Sequence, residues 1–109
     1  MTAQQISFVK DSLQAAVSAG AAFNMNPMAI LSQAAFESGW GTSDLSRKYN
    51  NFFGLTAYGA GNAYWHGGKT TVKATGYSMD FRRYDTRENS FLDFARLIRN
   101  NYRTAWQAS

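Results

Sequence analysis

Apolar residues recur at helical spacing near both ends of the chain and lose that spacing in the middle. Ile6, Val9, Leu13, Ala16, Val17 and Gly20 follow the three- and four-residue steps of one helix face, and Thr2 with Gln5 makes a capping-box pattern ahead of them. This predicts a helix over residues 3–19 that Gly20 ends. A second helix opens with Asn26 as N-cap and Pro27 at the first helical position, runs through Met28, Ile30, Leu31, Ala34 and Ala35, and stops at Gly39. It is apolar on nearly every side, as a buried helix is. Thr42 or Ser43 caps a short third helix to about Lys48, with Asp44 in the first turn, where the helix dipole favours negative charge.

From Asn50 to Gly68 the chain is rich in Gly, Asn and aromatic residues and reads as loop. Lys69 to Ala74 and Tyr77 to Tyr84, on either side of Thr75-Gly76, carry the Thr, Val, Tyr and Phe content of a short β-hairpin. Asp85 with Glu88 offers another capping box, and Phe91, Leu92, Ala95, Ile98 and Tyr102 continue a helical stripe nearly to the C-terminus. No linker, repeat or low-complexity tract interrupts this order. The expectation is a mostly helical α+β fold, one domain over residues 1–109.

Composition narrows the partners. With 109 residues, 45% hydrophobic and 16% aromatic, the chain can build a core without disulfides or metal. It has no cysteine and one histidine, His66, so no metal or cofactor is expected. The net charge of +4 and pI near 9.6 suit an anionic partner: nucleic acid, a lipid surface or a wall polymer. Met1 to Asp11 lacks the basic start and apolar run of a signal peptide, and Gln14, Asn24, Asn26, Pro27 and Gln33 make the uncharged stretch up to Phe36 too polar for a membrane span. A soluble monomer without membrane insertion is expected.

Between Asp11 and Asp44 the only formal charge is Glu37. It falls in the last turn of the second predicted helix, on one stripe with Ile30, Gln33 and Ala34. The negative end of the helix dipole, together with desolvation by Phe36 and Trp40, is expected to favour its protonated form. A carboxyl that holds its proton near neutral pH is what cleavage of a glycosidic bond demands. The bland alternative is an ion pair with Arg82, Arg83 or Arg96. Ser38-Gly39-Trp40-Gly41 argues against it: one glycine would end the helix, whereas Trp40 and Gly41 suggest a backbone that another chain approaches and stacks upon.

Ala29-Ile-Leu-Ser-Gln-Ala-Ala-Phe-Glu-Ser-Gly-Trp-Gly41, Tyr49-Asn-Asn-Phe-Phe-Gly-Leu55, Trp65-His-Gly67, Phe81-Arg-Arg-Tyr84 and Arg99-Asn-Asn-Tyr102 together resemble the glucosaminidase family of peptidoglycan hydrolases, glycoside hydrolase family 73, which includes the muramidase-like half of flagellar rod proteins. The resemblance runs in order from about Asn26 to Tyr102. It implies a lysozyme-like fold, with a helical lobe and a small, shortened β-hairpin lobe flanking a cleft, that cleaves the β-1,4 bond after N-acetylglucosamine in peptidoglycan glycan strands. Glu37 falls on the family's catalytic acid, and Trp65, Tyr84 and Tyr102 fall on aromatic positions that line or support its cleft. Action at the bacterial cell wall or periplasm follows. With no signal peptide in view, delivery by phage lysis, a dedicated secretion route or a larger flagellar or phage assembly is expected.

One departure matters. The family usually carries a second glutamate on the first strand of a longer hairpin, where this chain reads Lys73-Ala-Thr-Gly-Tyr77. Asp80 is the candidate base on the second strand, ahead of Asp85 and Asp44. Alternatively the substrate's own 2-acetamido group assists, so that Glu37 suffices. Rival readings are a lytic transglycosylase, which also uses a Glu followed by Ser, a muramidase, or a wall-binding or assembly module.

Trp40, Asn51, Tyr58, Tyr64, Trp65, Tyr84 and Tyr102 make up the expected substrate-binding set. Tyr58, Tyr64 and Trp65, set among glycines, read as exposed rings suited to sugar faces. Phe52 and Phe53 read as core, and His66 as a hairpin-edge side chain. Lys69, Lys73, Arg82 and Arg83 suggest one basic patch. No RNA-binding motif accompanies it, so no nucleic-acid partner is expected.

Overall fold

The computed structural model describes residues 1–101; the expectations for Tyr102 lie outside them. The elements are α1 (Ala3–Phe23), α2 (Pro27–Ser38), α3 (Asp44–Tyr49), β1 (Lys69–Ala74), β2 (Tyr77–Arg82) and α4 (Arg87–Asn101). The fold is the expected mostly helical α+β arrangement with one antiparallel hairpin. Among the described residues no helix is long and apolar enough to cross a membrane.

Local chemistry accounts for most of the boundaries. Thr2 Oγ1 accepts from the Gln5 amide while the Gln5 side chain accepts from the Thr2 amide, so both halves of the first capping box are present. Asn26 Oδ1 accepts from the Met28 amide ahead of Pro27, and Ser43, rather than Thr42, caps α3. The first helix does not end at Gly20. It continues to Phe23 and is closed by Asn24 at φ 54°, because Gly20 serves a close approach: a Cβ there would lie 2.6 Å from the Met25 carbonyl oxygen, where the chain doubles back toward α2.

Packing of α1 against α2 and α4 buries Ala15, Ala16, Ala19, Ala34, Ala35 and Ala95, small residues that let helices draw close. Phenylalanines fill the rest. Phe53 stacks on Phe94 at 4.0 Å, meets Phe91 edge-on at 5.1 Å, and Phe91 in turn touches Phe52. The core expectation for Phe52 and Phe53 is met.

The hairpin pairs Lys69 with Arg82 and Thr71 with Asp80, and Gly76 at φ 84° makes its turn. A stretch expected to be loop gives it a third edge. The Arg82 amide donates to the Leu55 carbonyl, the Ala57 amide donates to the Asp80 carbonyl, and Thr56 bridges Phe81. The second strand stops at Arg82, two residues before the expected Tyr84, because the Tyr84 amide turns to the Tyr49 carbonyl at the end of α3. Before α4, Thr86 Oγ1 accepts from the Asn89 amide, so Thr86 and not Asp85 caps that helix. Asp85 is drawn off by His66 Nδ1 at 2.8 Å.

Helix and hairpin are joined through Asp93, which is fully buried on α4. Its Oδ2 accepts from Arg82 Nη1 at 2.6 Å and from the Tyr84 hydroxyl at 2.5 Å, while its Oδ1 accepts from Asn62 and Arg96. Burial, and then the bond to Asp93, push the Tyr84 phenol well above its ordinary range, so it stays a donor. The remaining Arg82 donors reach the Thr56 and Tyr58 carbonyls, and the guanidinium lies 4.2 Å from the Trp65 ring centroid. Asp93→Ala leaves the buried Arg82 guanidinium without its counter-charge. It should cost about 3–5 kcal/mol in urea unfolding, more than Arg96→Ala, whose side chain is partly in water.

Candidate active site

Glu37 is in the last turn of α2, as expected, but the apolar enclosure expected around it is not formed. Phe36 is 80% exposed and Glu37 itself faces solvent. The Trp40 ring turns the other way, meeting Phe8 edge-on at 6.0 Å and lining an apolar cavity of about 270 Å³ with Met1, Val9, Met28 and Leu31. The ion-pair alternative also fails: Arg82 and Arg96 are taken by Asp93, and among the described residues Glu37 has no salt bridge. Its Oε1 accepts from Gln33 Nε2 at 3.1 Å. Its Oε2 lies 3.9 Å from where a Cβ on Gly54 would be, and Gly54 is at φ 66°. Glu37 therefore looks across at the backbone of the segment that edges the hairpin.

The turn behind it is built by Gly39, Trp40 and Gly41, all left-handed at φ 57°, 57° and 77°. For a tryptophan this costs roughly 1–2 kcal/mol. Ser38, buried, donates to the Ala34 carbonyl and accepts from the Gly41 amide; Gln4 Nε2 donates to the Trp40 carbonyl. The chain that approaches the Gly41 backbone is this one: a Cβ there would sit 3.0 Å from the Phe8 ring. Tight packing by Phe8 explains the second glycine.

Asp80 is on β2, where Thr71 Oγ1 donates to it at 2.6 Å and Lys69 Nζ at 3.2 Å. The Thr71 bond, and then that of Lys69, hold its carboxyl below the ordinary carboxylate range. It borders an open cavity of about 200 Å³ with Thr56, Tyr58 and Ser78. Asp44 is occupied by Arg47 and Lys48 at the start of α3, and Asp85 by His66. His66 also reaches the Ala63 carbonyl, clipping the loop to the approach of α4.

The aromatic set divides. Tyr58 is 74% exposed beside Asp80, and Tyr64 is half-buried with its ring edge-on to Phe23. Trp65, expected to be exposed, is buried under Arg82 and donates its indole N–H to the Gly68 carbonyl. Tyr84 is buried on Asp93. Asn51 is buried too, its amide donating to the Leu55 and Arg82 carbonyls and accepting from the Leu55 amide, so it pins the Gly54 segment to β2. The expected basic patch loses Arg82 to the interior and Lys69 to Asp80. Among the described residues no three His, Cys, Asp or Glu side chains gather as a metal site.

The pattern of the glucosaminidase family, described as mannosyl-glycoprotein endo-beta-N-acetylglucosaminidase, matches residues 13–109. The chain belongs to the glucosaminidase family. It is similar to the peptidoglycan hydrolase FlgJ of Vibrio parahaemolyticus, 31% identical across 93% of this chain and 36% of that protein. Among solved structures it is similar to the glycoside hydrolase domain of Salmonella typhimurium FlgJ, with TM-score 0.78 and 29% identity over 93% of this chain and 64% of that one. It is likewise similar to the catalytic domain of the autolysin Auto from Listeria monocytogenes, with TM-score 0.74 and 26% identity over 99% of this chain and 67% of that one. The chain thus spans about a third of the Vibrio protein and about two thirds of these two solved domains. Its fold is that of the family, lysozyme-like.

Two groups escaped the sequence reading. Gln33 shares the Glu37 stripe, and its i,i+4 position is the signal for the contact the fold makes. Asp93 stands alone inside the apolar run Phe91-Leu-Asp-Phe-Ala95, the same isolation that singled out Glu37. The state of Asp80 is checkable. In a carbon-13 NMR titration its midpoint should lie below that of an unpartnered carboxyl, and Thr71→Val, by removing the main donor to its charged form, should raise it.

Proposed function

We propose that this chain, residues 1–109 acting as one glucosaminidase unit, is a peptidoglycan hydrolase that cuts the β-1,4 bond after N-acetylglucosamine, with Glu37 as general acid. The observation that carries the proposal is the placement of Glu37: an exposed carboxyl free of any cationic partner among the described residues, at the end of a rigid helix, facing a glycine backbone. A cation there would hold the group ionised and unable to donate.

The second half of the reaction falls to the substrate. Asp80 is held charged by Thr71 and Lys69, which makes it a weak proton acceptor. In the reading we favour, the carbonyl oxygen of the 2-acetamido group attacks C1 as the C1–O4 bond breaks, and Glu37 gives its proton to the departing O4. Water then opens the cyclic intermediate at C1 and yields its proton to the Glu37 carboxylate, which restores the acid.

Tyr58 is the exposed ring suited to a sugar face, with Tyr64 as a partly open one, whereas Trp40 is turned onto Phe8, and Asn51, Trp65 and Tyr84 serve by holding the walls. The Ser38 hydroxyl is spent on its turn, so the Glu37-Ser38 pair lends no chemistry to a transglycosylase. The partner is the glycan strand at the bacterial wall. Delivery to the wall by phage lysis, a dedicated secretion route or a larger assembly is part of the same proposal.

Glu37→Gln should lower hydrolysis of purified walls by at least about 100-fold with an unchanged melting temperature, and Asp80→Asn by far less. Mass spectrometry of the wild-type digest should show reducing-end N-acetylglucosamine. A reducing-end muramic acid would replace this assignment with a muramidase, an anhydro-muramyl end with a transglycosylase, and wall binding without fragments with a binding module.

A further inference from the structure

We infer that Gln33 is a positioning residue: its side-chain amide assigns the two oxygens of Glu37 to different tasks, so that Oε2 carries the proton toward Gly54. The inference rests on the reading of Glu37 as the acid. The described carboxylates whose side chains meet another ionisable group are Asp44 with Arg47 and Lys48, Asp80 with Lys69, Asp85 with His66, and Asp93 with Arg82 and Arg96. Glu37 is held instead by a neutral amide, Gln33 Nε2 donating to Oε1 at 3.1 Å.

The difference has a chemical consequence. An Arg or Lys would bind the ionised carboxylate far better than the acid and so keep the proton off it. An amide N–H donates to the carbonyl oxygen of the protonated carboxyl as well as to the carboxylate. The Gln33 bond therefore persists while Glu37 gives up its proton and takes one back, and the carboxyl need not rotate between the two steps. With Oε1 occupied, the proton belongs on Oε2. That oxygen faces Gly54, where the missing Cβ and a left-handed φ of 66° leave room for a leaving oxygen to approach. The helix supplies the geometry: Gln33 precedes Glu37 by four residues on one face, with Ile30 and Ala34 beside them anchored in the core.

Kinetics on a soluble glycan oligomer with the 109-residue chain test this. Gln33→Met keeps the length and helix propensity but removes the donor. It should lower kcat about 10-fold, leave KM within about twofold, and leave the melting temperature unchanged because the site is exposed. Gln33→Glu should lose as much near neutral pH and recover relative to wild type as the pH falls, since the introduced carboxyl regains an O–H donor once protonated. A kcat for Gln33→Met within twofold of wild type would overturn the inference, as would a Gln33→Glu deficit of the same size at every pH. Glu37→Gln, run alongside, separates the two levels. If it is inactive while Gln33→Met is fully active, only the role of Gln33 fails; if it is active, the acid assignment fails and takes this inference with it.

Discussion

The buried pairing of Arg82 with Asp93 is the constraint on which the arrangement depends. Asp93 is on the helix that packs into the core, and Arg82 ends the strand that carries Asp80. Removing both charges from water is expensive, and the cost is offset only because every neighbouring group contributes: Tyr84, Asn62 and Arg96 complete Asp93, and the Thr56 and Tyr58 carbonyls complete Arg82. A two-stranded hairpin is marginal alone in water. Here it is held to the helices by a polar network whose geometry tolerates little displacement, and the segment bearing Gly54 and Tyr58 is held with it.

On the other side, rigidity comes from a turn. Three consecutive left-handed residues after Ser38 turn the chain, and Phe8 and Gln4 from the first helix pack against that turn. The strain at Trp40 is offset by ring packing. Glu37 thus stands at the end of a packed helix while staying in solvent, and its surroundings are defined by the absence of a cationic partner among the described residues rather than by burial. Across from it, Asn51 performs the matching task, fastening the glycine segment to the strand with three hydrogen bonds.

Helices, turn residues and strands were largely legible because their signals are local. Thr2 with Gln5, Asn26 with Pro27, and Gly76 each act within four residues of themselves. The exceptions share a cause. Gly20 and Gly41 read as a helix end and a ligand approach, yet each answers to a contact with a distant or returning part of the chain. Asp85 read as a cap until His66, nineteen positions away, claimed it. Exposure misled in both directions: Trp65, set in a glycine-rich stretch, is buried under Arg82, and Phe36, on an apolar helix, is exposed.

By itself the sequence determined the mostly helical α+β class, the membership carried by the ordered motifs from Asn26 onward, and the singling out of Glu37, because periodicity, caps and an isolated charge are properties of neighbouring residues. Only the tertiary structure decided what surrounds Glu37, which aromatic rings are open, and how Arg82, Asp93 and Asn51 brace the site. Those outcomes depend on which groups meet from separate elements, as Asn51 meets the Arg82 carbonyl and Asn62 meets Asp93 across 31 positions and Arg82 meets Asp93 across 11, and residue order does not reveal which meetings repay the desolvation of their partners.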